Sequence, residues 1–193
     1  MKNISFIAII ISLFSVASCN DKYLEKLPLD KINDASFWKS SSDLEMYANQ
    51  FYSDLKNPNY IWHNDNTSDN NGPGARDTYT WDEYTLPATG GGWGKADWLG
   101  IRRCNYALDR IATMQSNADI LRYEAEIRFF KAFYYFIKVK TFGDVPWLEH
   151  DLNIDSPELL NARDSRKIVM ANMLKDLDFA ITNLPETSPT DRL

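Results

Sequence analysis

The sequence predicts a mostly α-helical protein, built from helical hairpins and interrupted by one long aromatic and polar loop. Three observations carry that prediction. Apolar residues recur three and four apart over four separate stretches, no stretch sustains the period-two alternation of a half-buried strand, and the segment from Asn59 to Gly94 has no period at all.

The first eighteen residues stand apart from the rest. Lys2 supplies a positive start, and Ile4 to Val16 form an apolar run broken only by serines, too short for the ~20 apolar residues a bilayer span needs. The run closes on Val16-Ala17-Ser18-Cys19. Small residues before a cysteine resemble the bacterial lipobox, where the thiol is diacylated and the peptide is cut before it, so residues 1–18 read as a lipoprotein signal and Cys19 as the lipidation site. A plain secretory signal with a chance cysteine, or a short anchor helix, is the rival reading. Each buried acyl methylene contributes roughly 0.8 kcal/mol, so several chains make a durable anchor. Residues 19–41 then read as a tether and extended lead-in to a helical domain over 42–193.

Ser42-Asp43-Leu44-Glu45 reads as a capping box, followed by Leu44, Tyr47, Ala48, Phe51, Tyr52 and Leu55 on one helical face that stops before Pro58. After the loop, Lys95 to about Met114 is the second helix, with Trp98, Ile101, Cys104, Leu108 and Ile111 as its stripe. Cys104 lies on that stripe and reads as a small hydrophobe. Asn105 reads as a buried polar residue bonded to neighbouring backbone, and Trp93 and Trp98 as packing for this helix.

The third helix, about Asp119 to Thr141, carries Phe129, Phe130, Phe133, Tyr134, Tyr135, Phe136, Ile137 and Val139, which leave almost no polar face. It is expected to be central and covered on most sides. Gly143 and Pro146 end it. The fourth helix begins near Asp164 or Ser165, presents Val169, Met173, Leu177, Ala180 and Leu184, and ends at Pro185.

Composition narrows the function. The formal net charge is −6, and losing residues 1–18 removes Lys2 and no acid, leaving −7. Such a chain, with no basic cluster, repels phosphate backbones, which excludes nucleic acid as a partner. With Cys19 acylated, Cys104 is alone, so neither an intrachain disulfide nor a paired-thiolate zinc site is expected.

The few polar residues between the second and third helices make these an αα-hairpin. Ala125, Phe129 and Ala132 fall at the spacing of the second helix of a tetratricopeptide repeat, although the first-helix Trp, Gly and Tyr positions are unmatched. Longer motifs say more. WGKADWLGIRRCNYAL from Trp93, AEIRFFKAFYYFIKVKTFGDVP from Ala125, the Arg163-Asp164-Ser165 step and LKDLDFAITNLP from Leu174 are similar to the N-terminal region of the RagB/SusD family. The resemblance implies a SusD-like fold of tetratricopeptide-like helices in truncated form. It also implies an outer-membrane lipoprotein that binds glycan or another nutrient and delivers it to a SusC-like TonB-dependent transporter. Family members continue past the position of Leu193, so residues 42–193 are expected to be an incomplete domain with an apolar face left open and a tendency to self-associate. Asp21, just behind the anchor, suits export to the outer surface, with the inward-facing side as the alternative.

The residues support binding better than catalysis. His63 and His150 have no partner at metal-ligand spacing, and the carboxylate pairs Asp82-Glu83 and Glu124/Glu126 point apart on a strand or helix, so no catalytic residue, metal or cofactor is expected. A calcium loop over Asn64 to Gly72 fails as well, because it puts Thr67 at the first ligand position and Thr78 at the last. A sugar ring packs its apolar face on an aromatic ring and offers its hydroxyls to Asn, Asp and Arg. The long loop holds Trp62, Asn64, Asp65, Arg76, Tyr79 and Trp81, which make the candidate glycan contacts; the rival reading makes Trp62 and Trp81 the loop's own small core. Two other functions fit less well: a helical protein–protein interaction scaffold without its own glycan site, and a surface glycoside hydrolase, which lacks convergent carboxylates.

Overall fold

The computed structural model describes residue 34, residues 37–55, 60, 78, 81–85 and 90–187. The chain divides into two compact units, Met1–Phe37 and Trp38–Leu193, and all four α-helices among the described residues lie in the second. They are α1 (Ser41–Tyr52), α2 (Leu99–Ile111), α3 (Ala118–Phe142) and α4 (Arg166–Asn183). Short 3-10 turns at Lys95–Trp98 and Pro157–Leu160 and one isolated antiparallel bridge, Val145 to Asp164, complete the regular structure described. The mostly helical fold predicted from periodicity is the one observed.

The start of α1 differs from expectation. The cap is Ser40, not Ser42: its Oγ accepts from Asp43 N–H at 3.3 Å while Asp43 Oδ2 accepts from Ser40 N–H at 2.9 Å. Ser40 and Ser42 each have a carboxylate three residues on, Asp43 and Glu45, and the first pair forms the box. The helix also ends at Tyr52, leaving Leu55 outside it and exposed. The second helix differs too, since Lys95–Trp98 winds as a 3-10 turn before α2 proper.

α3 is central, as its composition requires: it packs against α1, α2 and α4. Its N-terminal half belongs to a core with Leu44, Phe51, Cys104 and Ile111, and its C-terminal half to a second core with Ile101, Val145, Val169 and Met173. Gly100 lets α2 approach closely, because a Cβ there would lie 2.7 Å from the Tyr134 ring. Asn117 caps α3 through Ile120 N–H at 3.0 Å, and Gly143 ends it with φ +72°.

The expectation that α3 is covered on most sides is corrected. Phe129, Phe136 and Ile137 are exposed, whereas Glu126, Lys131 and Lys138 are buried. The charged residues turn inward because partners wait there: Lys138 Nζ donates to the Gly92 carbonyl, and Lys131 Nζ lies 4.7 Å over the Trp147 ring. Arg128 ties α3 to α4, donating to Asp176 Oδ1 and Glu124 Oε1 at 2.8 Å each. On α4, Val169, Met173 and Ala180 face the core while the adjacent stripe of Met170, Leu174 and Ile181 is exposed. The described surface therefore carries a good deal of apolar side chain on both helices.

Candidate functional site

Of the six candidate glycan contacts, Trp81 falls within the described residues. Trp62, Asn64, Asp65, Arg76 and Tyr79 lie outside them, as does Cys19. Trp81 sits in a turn closed by Glu83 N–H donating to the Thr78 carbonyl at 2.8 Å, with Asp82 in the left-handed region at φ 55°. Asp tolerates that region better than most residues, since its short carboxylate bonds locally. The indole is 59% exposed, which is high for so large an apolar group.

Both ends of the segment that carries Trp81 are held by one face of α3. At the first end, Asp54 accepts from Tyr134 OH and from Arg103 Nη2, and Arg103 Nη1 also reaches Gln50 Oε1 at 3.4 Å. At the other end, Lys138 donates to Gly92 O among the Trp98 and Phe142 rings. Burial lowers the Lys138 pKa and raises that of Tyr134. Tyr134 and Lys138 are one turn apart, about 6 Å along the helix axis. Lys138→Met keeps the apolar stem and removes the donor. It is expected to speed amide exchange at Trp93, whose N–H is bonded to the Gly90 carbonyl, by about tenfold, with the helical melt nearly unchanged, because freeing the Gly92 carbonyl increases local opening. Equal exchange rates would show that Lys138 does not hold this turn.

A second concavity, of about 300 Å³, is lined by Trp147, Leu148, Glu149, His150, Leu152, Glu158, Asn161, Asp164, Ile168 and Asn172, together with Pro146. One wall, residues 146–151, belongs to no helix, and buried or part-buried side chains hold its backbone. Trp147 N–H donates to Asp164 Oδ2 at 2.8 Å, Leu148 N–H to Tyr135 Oη at 2.7 Å, and Asp151 N–H to Asp109 Oδ2 at 2.8 Å. Asn105 Nδ2 donates to the Leu148 and His150 carbonyls at 2.8 and 3.1 Å. Asn105 is thus the backbone-bonding buried residue that its place on the stripe predicts. His150 Nδ1 lies 2.7 Å from Asp109 Oδ1, and that hydrogen bond raises the His150 pKa above its ordinary value.

Sequence reasoning did not single out this cleft. Trp147, Glu158, Asn161 and Asn172 come from a loop and the first turns of α4, and no periodicity links them. The remaining expectations are met in part. Cys104 is buried and free, and burial pushes its thiol pKa up, as a packing residue's should be. Trp93 and Trp98 pack edge to face at 5.1 Å, but Trp93 also meets Phe142 at 4.8 Å, so the pair closes the end of α3 and does not serve the second helix alone.

With this geometry in view, the comparisons with known proteins decide the family. A model of the SusD-like family, described as starch-binding and associating with the outer membrane, matches residues 28–192. The chain belongs to the SusD-like family. A crystal structure of a SusD-like protein from Bacteroides fragilis superposes with a TM-score of 0.68 at 27% identity, covering 86% of this chain and 34% of that one. A laminarin-binding SusD-like protein aligns at 30% identity and a TM-score of 0.46, over 52% of this chain and 22% of its own. The chain therefore spans about a third or less of the length of these solved SusD-like structures. No curated protein matches it. Among the described residues no helix is long and apolar enough to cross a membrane.

Proposed function

We propose that the protein binds a neutral glycan or similar nutrient through the loop carrying Trp81 and passes it to a SusC-like TonB-dependent transporter. An acylated Cys19 holds it to the outer membrane, facing outward, and it performs no chemistry on its ligand. The observation that carries this reading is the exposed Trp81 indole on the turn closed by the Glu83–Thr78 hydrogen bond. An exposed indole offers a sugar ring an apolar face. The family's description as starch-binding and outer-membrane-associated supports the ligand class and the compartment.

Native electrophoresis through gels containing soluble starch or laminarin tests the reading. Retardation of the wild-type protein is expected, together with loss of about tenfold or more in affinity for Trp81→Ala, because stacking on an aromatic ring contributes about 1–3 kcal/mol by analogy with bases. Melting should hardly change, since the ring is mostly outside the core. If Trp81→Ala melts much earlier, the indole is packing and the binding site is elsewhere. Co-purification of a TonB-dependent barrel with the tagged protein tests delivery.

A further inference from the structure

We propose that the cleft lined by Trp147, Glu158, Asn161 and Asn172 is a second carbohydrate subsite that takes one neutral, hydroxylated ring. It serves the same ligand class as the function proposed above, and rests on that reading for the class alone, since it uses none of the same residues.

Buried polar side chains fix the wall of the cleft. Tyr135 and Asn105, both almost fully buried, hold the Leu148 and His150 backbone, and Asp109 and Asp164 hold the residues on either side. Burying an amide and a phenol is costly unless each is hydrogen-bonded, and apolar side chains would fill the same core without that cost. The bonds made instead fix one extended segment in place. Tyr135 and Lys131 further fix the Trp147 ring, at 4.3 Å between centroids and 4.7 Å from Nζ. Such prior ordering is what a binding wall needs, because the ligand then orders little on arrival.

The lining combines apolar and hydrogen-bonding side chains. Trp147, Leu152 and Ile168 give apolar surface, while Asn161, Asn172 and Glu158 give acceptors and donors for hydroxyl groups. A volume of about 300 Å³ suits a single ring, being at the small end of the range for ligand pockets. Charge then selects among sugars. Three carboxylates, Glu149, Glu158 and Asp164, line the cleft against one histidine, His150, with Lys131 behind the Trp147 ring, so a uronate or a phosphorylated sugar meets a lining in which acids outnumber cations.

Titration of the ¹⁵N-labelled protein, followed at the indole N–H signals of Trp147 and Trp81, tests the subsite. The probes are maltotetraose, laminaritetraose and, as the charged control, tetragalacturonate. We expect at least one neutral oligomer to shift the Trp147 signal and the uronate to leave it in place. The double variant Asn161→Ala with Asn172→Ala should weaken that response by about tenfold, as loss of two neutral hydrogen bonds implies, with the Trp81 response kept. Both asparagines are at least partly exposed, so the variant should fold, and its melt verifies this. A Trp147 signal unmoved by either neutral oligomer above about 10 mM, where affinity is negligible, overturns the subsite, as does an equal shift with the uronate. Movement at Trp81 alone removes the subsite and leaves the proposed function standing; movement at Trp147 alone does the reverse for the loop.

Discussion

Phe130→Ala is expected to destabilise the helical unit by about 3–5 kcal/mol, the range for removing a fully buried aromatic ring. Phe130 is 1% exposed, stacks on Phe51 at 5.4 Å and meets Tyr52 edge-on at 5.1 Å, so it joins α3 to α1. The surrounding core residues sit on three helices and cannot all collapse into the space left. Against a total stability of about 5–15 kcal/mol, the loss is large enough to unfold part of the population. Phe136→Ala is the control. That ring is 51% exposed, and its removal should change stability by no more than about 0.5 kcal/mol. Denaturant titration of both variants tests which way α3 faces. Equal losses would contradict the orientation of the helix.

Cys19→Ala is expected to abolish partitioning of the full chain into the detergent phase. Alanine has no thiol to accept an acyl group, so one substitution removes every chain at once, and with them roughly 0.8 kcal/mol for each buried methylene. Cys104, the other cysteine, cannot take over the role: it is buried at 0% exposure in the α2 stripe. Phase separation of wild-type and variant protein reads the outcome directly. Unchanged partitioning would exclude Cys19 as the anchor.

How much of this was legible in the sequence depended on the range of the signal. The bounds of α3 and α4 lie within a residue or two of expectation because Gly143, Pro146, Ser165 and Pro185 act on backbone groups a few positions away. The cap of α1 was misplaced because Ser40 and Ser42 each have a carboxylate at the right distance, and only the fold chooses between them. The inward turn of Lys131 and Lys138 was hidden for another reason. Their partners, Trp147 and the Gly92 carbonyl, are distant in sequence, so hydropathy alone assigns the lysines to the surface. The same holds for the two candidate surfaces. Trp81 was picked out by its loop composition, whereas the Trp147 cleft depends on Tyr135, Asn105, Asp109 and Asp164 converging on one segment, which no local pattern announces.

This SusD-like chain is expected to bind a neutral glycan through the exposed Trp81 indole. Titration calorimetry with the glucan that retards the wild-type protein in gels tests it most directly. Saturable binding by the wild type is expected, with a dissociation constant about tenfold or more higher for Trp81→Ala, the equivalent of at least about 1.4 kcal/mol, and an unchanged melting temperature. Identical affinities for the two proteins would contradict it.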